Sequence, residues 1–308
     1  MKKSKLFTNT AAVWLFAALC CLLWGSAFPA IKIGYNLFEI SSDDTFTIIL
    51  FAGVRFFIAG ILTIVIFSFI NKKPLLPKRS SLPKIGVLSV FQTILQYVFF
   101  YLGLAYTTGE RASVIQGTNV FFAMLISSLV FRYEKLSVNK ILGCVVGFAG
   151  VLLVSLDVFT QSGSGSFLGE AMVLLCTISY SFSSVFMKKY SVSENPAMLS
   201  GWQFVLGGFV MIAVGIIGGG RLNRSGFGAI MLLIYLAMVS AVAYSLWSIL
   251  LKYNPVSKVA VCGFLTPVFG FVLSAAFSGG SAKTGLISLV ALLFVVAGIV
   301  LVNYHKKS

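Results

Sequence analysis

A chain of 308 residues that is 58% hydrophobic and only 10% charged is not a soluble globular domain, where about a quarter of residues carry charge. No single aqueous core could hide that much apolar surface, so lipid must be the solvent. The formal charge of +15 does not point to nucleic acid, because the basic residues fall in short loops between apolar stretches.

Lys2, Lys3 and Lys5 ahead of an apolar run have the form of a signal peptide. The run from Ala11 lasts about 20 residues, however, beyond the roughly 7–15 of a signal sequence, and Phe28 spoils a cleavage site before Ala30. It is read as an uncleaved first transmembrane helix, 11–33. Nine more stretches follow at 46–70, 85–107, 112–131, 138–156, 168–188, 197–218, 228–251, 258–278 and 285–304. Each approaches the length a helix needs to cross the hydrocarbon, and none alternates strictly as a barrel strand does. The predicted fold class is an all-α integral membrane protein with ten transmembrane helices.

Loop charge orients these spans. With the N-terminus inside, the cytoplasmic segments hold the N-terminal lysines, then Lys72, Lys73, Lys78, Arg79 and Lys84, then Arg132, Lys135 and Lys140. They go on to hold Lys188 and Lys189, Lys252 and Lys258, and Lys306 and Lys307, so that they carry most of the 23 basic residues. The acids lean the other way, with Glu39, Asp43, Asp44, Glu110, Asp157 and Glu170 outside and only Glu134 and Glu194 inside. That bias predicts a multi-pass protein of the cell (plasma) membrane with both termini cytoplasmic.

The halves echo one another. Arg55–Gly60 and Gln203–Gly208 are similar segments about 148 residues apart, and 148–154 is echoed by 296–302 at the same offset. The midpoint carries a Gly/Ser-rich linker. The expected organisation is a first five-helix repeat at 1–156, a linker at 157–167 and a second repeat at 168–308. Five spans per copy invert the second relative to the first, the plan of secondary transporters that bind between halves.

Several intramembrane residues invite a functional reading. Pro29 and Pro267 remove backbone donors and are candidate gating kinks, or packing kinks that neighbouring helices absorb. Arg55 lies inside an apolar span, where a cation needs a partner; it reads as a carboxylate-recognising or gating group, or as a side chain that snorkels outward. Lys32, near the outer end of the first span, reads as an extracellular-side gate or as a snorkelling side chain. Trp24, Tyr97, Tyr101, Tyr180, Tyr244 and Trp247 lie within spans, where a polar tip needs a partner; they read as substrate-binding or as interhelix packing. Tyr97 and Tyr101, four apart, share a helix face. Gln116, Asn119 and Thr266 could hydrogen-bond substrate or bridge helices. Gly143, Gly147 and Gly150 mark a close helix–helix approach, within the chain or in a dimer.

Two sets of residues narrow the chemistry. Cys20, Cys21, Cys144, Cys176 and Cys262 fall in apolar segments without metal-ligand spacing, and the single histidine is His305 in the tail. No metal site, cofactor or catalytic set is therefore read. No Asp or Glu falls at mid-membrane, which disfavours a proton-coupled exporter of organic cations and favours a neutral or zwitterionic solute. No phosphate-binding Gly-rich loop is present.

The motifs in order resemble a known family. Trp24-Gly25-Ser26-Ala27-Phe28 with Lys32, Arg55-Phe56, Gly103–Thr107, Ala112–Ile115 and Glu134 resemble the first half of EamA-type transporters of the drug/metabolite transporter superfamily. Tyr244–Trp247 with Lys252, Pro255 to Ala260, Leu265-Thr266-Pro267 and Gly298–Asn303 resemble the second half. The chain departs from the pattern at Val120, where a proline is expected, and at Ser278–Ser281, where a Leu-Gly-Glu is expected. The resemblance implies a ten-helix fold with a cavity lined mainly by helices 1, 3, 4, 6, 8 and 9, helix 2 being peripheral. It also adds Ser26 to the substrate-binding candidates and a motif context to Pro267. It implies a secondary transporter, an exporter or facilitator, of small organic metabolites by alternating access, with amino acids the leading class. The alternatives are a multidrug or lipid-like solute transporter or flippase, or an intramembrane enzyme. The partners expected are a small-molecule substrate and the lipid bilayer, not nucleic acid, with monomer and dimer both open.

Overall fold

A computed structural model describes residues 2–41, 43–107, 109–154, 166–223, 226–277 and 282–304, and every regular element among them is helical. The linker at 157–165, Ser278–Ser281 and His305 lie outside the described residues. A short helix α1 (Lys2–Thr8) leads into α2 (Thr10–Leu37) and α3 (Thr45–Asn71). Then come α4 (Leu82–Leu88), a π-helical segment Ser89–Leu95, and α5 (Gln96–Tyr106). α6 (Gly109–Gly117), α7 (Asn119–Leu125) and a second π-helical segment, Ile126–Val130, precede α8 (Val138–Val154). The second half holds α9 (Phe167–Tyr190), α10 (Pro196–Ile217) and α11 (Phe227–Tyr253). α12 (Val256–Ala260), a 3₁₀ turn Val261–Phe264, α13 (Leu265–Phe277) and α14 (Ala282–Asn303) complete it.

Among the described residues, six helical stretches are long and apolar enough to cross a membrane: Thr10–Leu37, Thr45–Asn71, Arg79–Leu104, Phe167–Tyr190, Pro196–Ile217 and Phe227–Tyr253. Four shorter apolar stretches, Val114–Val130, Val138–Leu153, Val256–Gly270 and Leu289–Asn303, fall where the remaining spans were expected. Large apolar side chains on the outside, among them Leu15, Ile61, Val145, Phe209 and Leu293, are exposed as only a lipid-facing surface tolerates. The chain is an all-helical membrane protein.

Helix ends are set locally. Asn9, Asp44, Ser166 and Asn195 cap α2, α3, α9 and α10, each side-chain oxygen accepting a free backbone N–H of the first turn. Lys72 closes α3 in the left-handed conformation, with φ 52°.

Water-driven burial cannot hold helices together in lipid, so close backbone contact must. α3 packs on α10, and α8 on α14. A Cβ added at Gly60 would sit 2.6 Å from the backbone nitrogen of Val205, and one at Gly208 would sit 2.5 Å from that of Phe57. Only glycine lets these two backbones meet. In the second pair, a Cβ at Gly143 would lie 2.7 Å from the Gly298 carbonyl, and one at Gly150 would lie 2.6 Å from that of Ala291. The α8 glycines Gly143, Gly147 and Gly150 thus make their close approach inside the chain, to α14 and to Phe264.

Gly208→Val should lower the thermal midpoint of the detergent-solubilised protein sharply, by the equivalent of about 1–3 kcal/mol or more, because backbone must move to admit it. Gly86→Ala, where nothing lies within 4 Å of the added methyl, should leave the midpoint unchanged or slightly raised.

Candidate functional site

Two interrupted helices open the middle of the bundle. The fourth predicted span breaks at Thr118 between α6 and α7, where the Thr118 hydroxyl bonds back to the Ile115 carbonyl at 2.5 Å. The ninth breaks in the 3₁₀ turn between α12 and α13. Irregular backbone at membrane depth persists only where protein or a cavity satisfies it. Gly117 and Asn119 on one side, and Gly263, Thr266 and Pro267 on the other, line a cavity of about 110 Å³. One water needs roughly 10–15 Å³ by this measure, so the space suits a small solute and not an acyl chain.

Seven of the predicted spans supply the wall. Trp24, Ala27 and Ile31 come from α2, Arg55 from α3, and Gln96, Tyr97 and Phe100 from α5. Gln116, Gly117 and Asn119 come from α6 and α7, and Cys176, Thr177 and Tyr180 from α9. Tyr244 and Trp247 come from α11. Of the proposed binding residues, Trp24, Tyr97, Gln116, Asn119, Tyr180, Tyr244, Trp247 and Thr266 are brought together here. Ser26 and Tyr101 are not. Ser26 turns to Tyr235, hydroxyl to hydroxyl at 2.7 Å, and Tyr101 is buried behind Tyr97 with ring centroids 6.1 Å apart.

The expected gates divide in the same way. Pro267 lines the cavity as the third residue of α13, where its missing N–H falls in a first helical turn that needs no partner. α2 continues unbroken through Pro29, which lies off the cavity wall, and Lys32 is exposed and also off it. Arg55 lines the cavity and does not snorkel: it is 2% exposed, its Nε donates to the Leu236 carbonyl at 3.3 Å and its Nη2 to the Ser240 hydroxyl at 3.0 Å. A peripheral helix 2 thus still sends its one cation inward, because α11 offers oxygens at the right depth.

An aromatic box surrounds the space. Trp24 meets Tyr180, Tyr244 and Trp247 edge-on, with centroids 6.4, 5.1 and 5.0 Å away. Phe56 stacks on Phe204 at 5.2 Å, Phe56 leans on Tyr97 and Phe204 on Tyr244, and the Tyr97 and Tyr244 hydroxyls share a hydrogen bond of 2.5 Å. Gln96 Nε2 donates to the Tyr244 hydroxyl at 3.2 Å. Among the described residues, Trp24 Nε1, Arg55 Nη1, Gln96 Oε1 and Tyr180 Oη are buried on this wall without a hydrogen-bond partner. Such groups cost free energy until a partner arrives. Gln96 was missed by the sequence reading, although a lone amide beside Tyr97 in an apolar run was a usable signal. The Gly117-Thr118-Asn119 break was another.

On the face that carries Glu134, the halves are tied by polar contacts. Glu134 accepts from Ser127 Oγ at 2.8 Å, from Lys140 Nζ at 2.6 Å, and from the Ser257 backbone N–H at 3.0 Å and its hydroxyl. Lys84 pairs with Glu194 at 2.6 Å. On the opposite face Arg111 pairs with Glu170 at 2.8 Å, and the Arg221 N–H donates to Thr47 Oγ1 at 2.9 Å.

One family model, described as the EamA-like transporter family, matches residues 12–156 and again 167–304. The chain belongs to the EamA-like transporter family. An uncharacterized transporter of Bacillus subtilis, YvbV, is 27% identical over 98% of this chain and 93% of its own length. Two uncharacterized transporters of Archaeoglobus fulgidus are 30% and 32% identical, and the chain spans 64% and 52% of their lengths. A WAT1-related chloroplastic protein of Arabidopsis thaliana is 25% identical over 93% of this chain and 70% of its own. A crystal structure matches with a TM-score of 0.74 over 94% of this chain and 96% of its own, at 16% identity, which shows a shared fold.

The Glu134 contacts give a pH prediction. Burial pushes its carboxyl up, but the hydrogen bonds from Lys140 and Ser257 outweigh burial and hold it below the ordinary glutamate range. A depressed folded value means that the stabilisation is fully present above the unfolded value of about 4.3 and is lost as pH falls through the folded one. Wild-type protein should therefore lose thermal stability on acidification below about pH 4.5 more steeply than Glu134→Gln. The variant should be less stable by roughly 2–4 kcal/mol at pH 7, since Lys140 loses its partner.

Proposed function

We propose that this protein is a ten-span secondary carrier of small organic metabolites, built as two inverted five-helix repeats that rock about the aromatic cavity. Contacts made twice, with the halves exchanged, support the inverted plan. Gly53 meets Gly208 and Gly60 meets Gly201, so that each residue's partner stands one offset from its counterpart's partner. Arg55 bonds Leu236 and Ser240 on α11, while Gln203, its counterpart on α10, is bonded by Ser89 and Thr93 at the matching places. Gly25 abuts the Thr266 carbonyl, and Ser181 on α9 donates to that of Asn119. α2 packs on α11 as α5 packs on α9.

The observation that carries the proposal is the pair Tyr97 and Tyr244, separated by 147 residues and bonded hydroxyl to hydroxyl on the cavity wall. Equivalent residues touch each other only on the axis that relates the repeats. A site on that axis looks the same from either half, and rocking one half against the other exposes it to one side at a time. With the basic loops inside, both termini face the cytoplasm of the cell membrane. Trp24, Tyr97, Gln116, Asn119, Tyr180, Tyr244, Trp247 and Thr266 hold the solute, and Pro267 stands at the hinge of its broken helix. The small, polar-tipped cavity favours metabolites such as amino acids over lipid-like solutes, and the absence of a described acid on its wall favours facilitation or exchange over proton coupling.

Proteoliposomes loaded with labelled amino acids and related metabolites provide the test. Saturable flux and counterflow of at least one solute are expected, with KM raised about tenfold in Trp24→Phe, the loss of one hydrogen bond's worth of binding. Flux equal to that of empty liposomes across the whole panel would sink the carrier reading.

A further inference from the structure

We infer that Arg55 is the carboxylate-recognition group of this cavity and that the solute it serves is an organic monocarboxylate with an apolar or aromatic body. The inference rests on the cavity being the carrier's substrate site. Its starting point is an imbalance of charge. Arg55 is among the largest fully buried side chains, and a guanidinium does not lose its proton to escape burial. A buried cation without an anion is among the costliest arrangements in lipid. Among the described residues, none of the three ion pairs includes Arg55 and no Asp or Glu lines the cavity.

What does surround the guanidinium is neutral. Phe56 presents its ring 5.1 Å from Cζ. The Tyr35, Tyr97, Tyr101 and Tyr244 hydroxyls lie within its electrostatic reach. Tyr101 is beside it without a hydrogen bond of normal geometry. The orientation is equally specific. Nε and Nη2 are anchored on α11 by Leu236 and Ser240, which fixes the plane of the fork and leaves Nη1 of this cavity-lining residue without a partner. A carboxylate is the ligand that supplies both the missing negative charge and an acceptor for that N–H. The neighbouring unpartnered donors, Trp24 Nε1 and Tyr180 Oη, also ask for acceptor oxygens, while the rings of Trp24, Phe100 and Trp247 offer an apolar bed for the rest of the molecule. At the equivalent place in the other half stands Gln203, which is neutral and held by Thr93 and Ser89. The cavity therefore binds charge on one side of the proposed axis only, which gives a single solute a single orientation.

The test compares each acid with its own amide on the full-length protein in detergent. The probes are isobutyrate against isobutyramide and 3-phenylpropionate against 3-phenylpropionamide, followed by tryptophan fluorescence and thermal shift. Wild-type protein should bind at least one acid ten times or more tightly than its amide. Arg55→Gln should abolish that preference, and Arg55→Lys, which keeps the charge without the fork, should retain part of it. Equal affinity for acid and amide in the wild type, or no binding of either acid, overturns the inference even if the Arg55 variants fail to fold. An unchanged preference in Arg55→Gln overturns it as well. Acid selectivity without flux in proteoliposomes would uphold this inference and sink the carrier reading alone. Flux of a neutral solute that Arg55→Gln leaves unchanged would do the reverse.

Discussion

Tyr97 and Tyr244 share one short hydrogen bond in the middle of the bundle, and the rings behind them, Phe56 and Phe204, stack on each other. In lipid, an unpaired hydroxyl costs more than in water, so two tyrosines that satisfy each other form a strong reason for the halves to meet there. Gln96 donates to Tyr244, which leaves the two phenols a free proton to offer the cavity. The same contact that joins the halves thus also builds the wall of the site.

The rest follows from how close the outer helices can come. Glycines press α3 onto α10 and α8 onto α14, backbone to backbone, and these two pairs flank the centre as rigid struts. The helices between them need not all be regular, and some are not. α6 and α7 separate at Thr118, α12 and α13 at the 3₁₀ turn, and a π-helical segment precedes Gln96 and Tyr97. The breaks at Thr118 and at the 3₁₀ turn both border the cavity, as expected where irregular backbone serves a site. Polar ties at both ends, Glu134 to Ser257 at one and Arg111 to Glu170 at the other, cross between the halves. Such ties are the contacts that rocking would break in turn.

Much of this was legible in the residues. Composition gave a membrane protein, and apolar run length located the six long spans and the four shorter helices, most ends to within a few residues and the largest miss eight. The paired echo at Arg55 and Gln203 picked out the helices whose glycines interlock. The aromatic candidates converged because a Tyr or Trp deep in lipid needs a shared polar neighbourhood. What failed did so for reasons of direction. Ser26 shares a turn with the wall residues Trp24 and Ala27, but residue spacing alone could not show that it faces Tyr235. Lys32 and Pro29 were singled out by type, and type does not say which way a helix face points. Arg55 had two readings, an inward recognition or gating group or a side chain that snorkels outward. The backbone carbonyl of Leu236 and the hydroxyl of Ser240, 181 and 185 residues away in sequence, turned it inward, and no local pattern encodes that.

The central claim is that one carrier alternates between two arrangements of its halves about the Tyr97–Tyr244 contact. It is tested most directly by measuring distances at the two faces at once. Spin labels at Lys135 and Val192 report the Glu134 face, and labels at Leu37 and Phe167 report the opposite one, all four sites being exposed. Pulsed electron resonance on the protein in nanodiscs should show two distance populations for each pair, with a transported solute shifting both, one face closing as the other opens. A single, solute-independent distance at both faces, in protein that transports, would contradict the account.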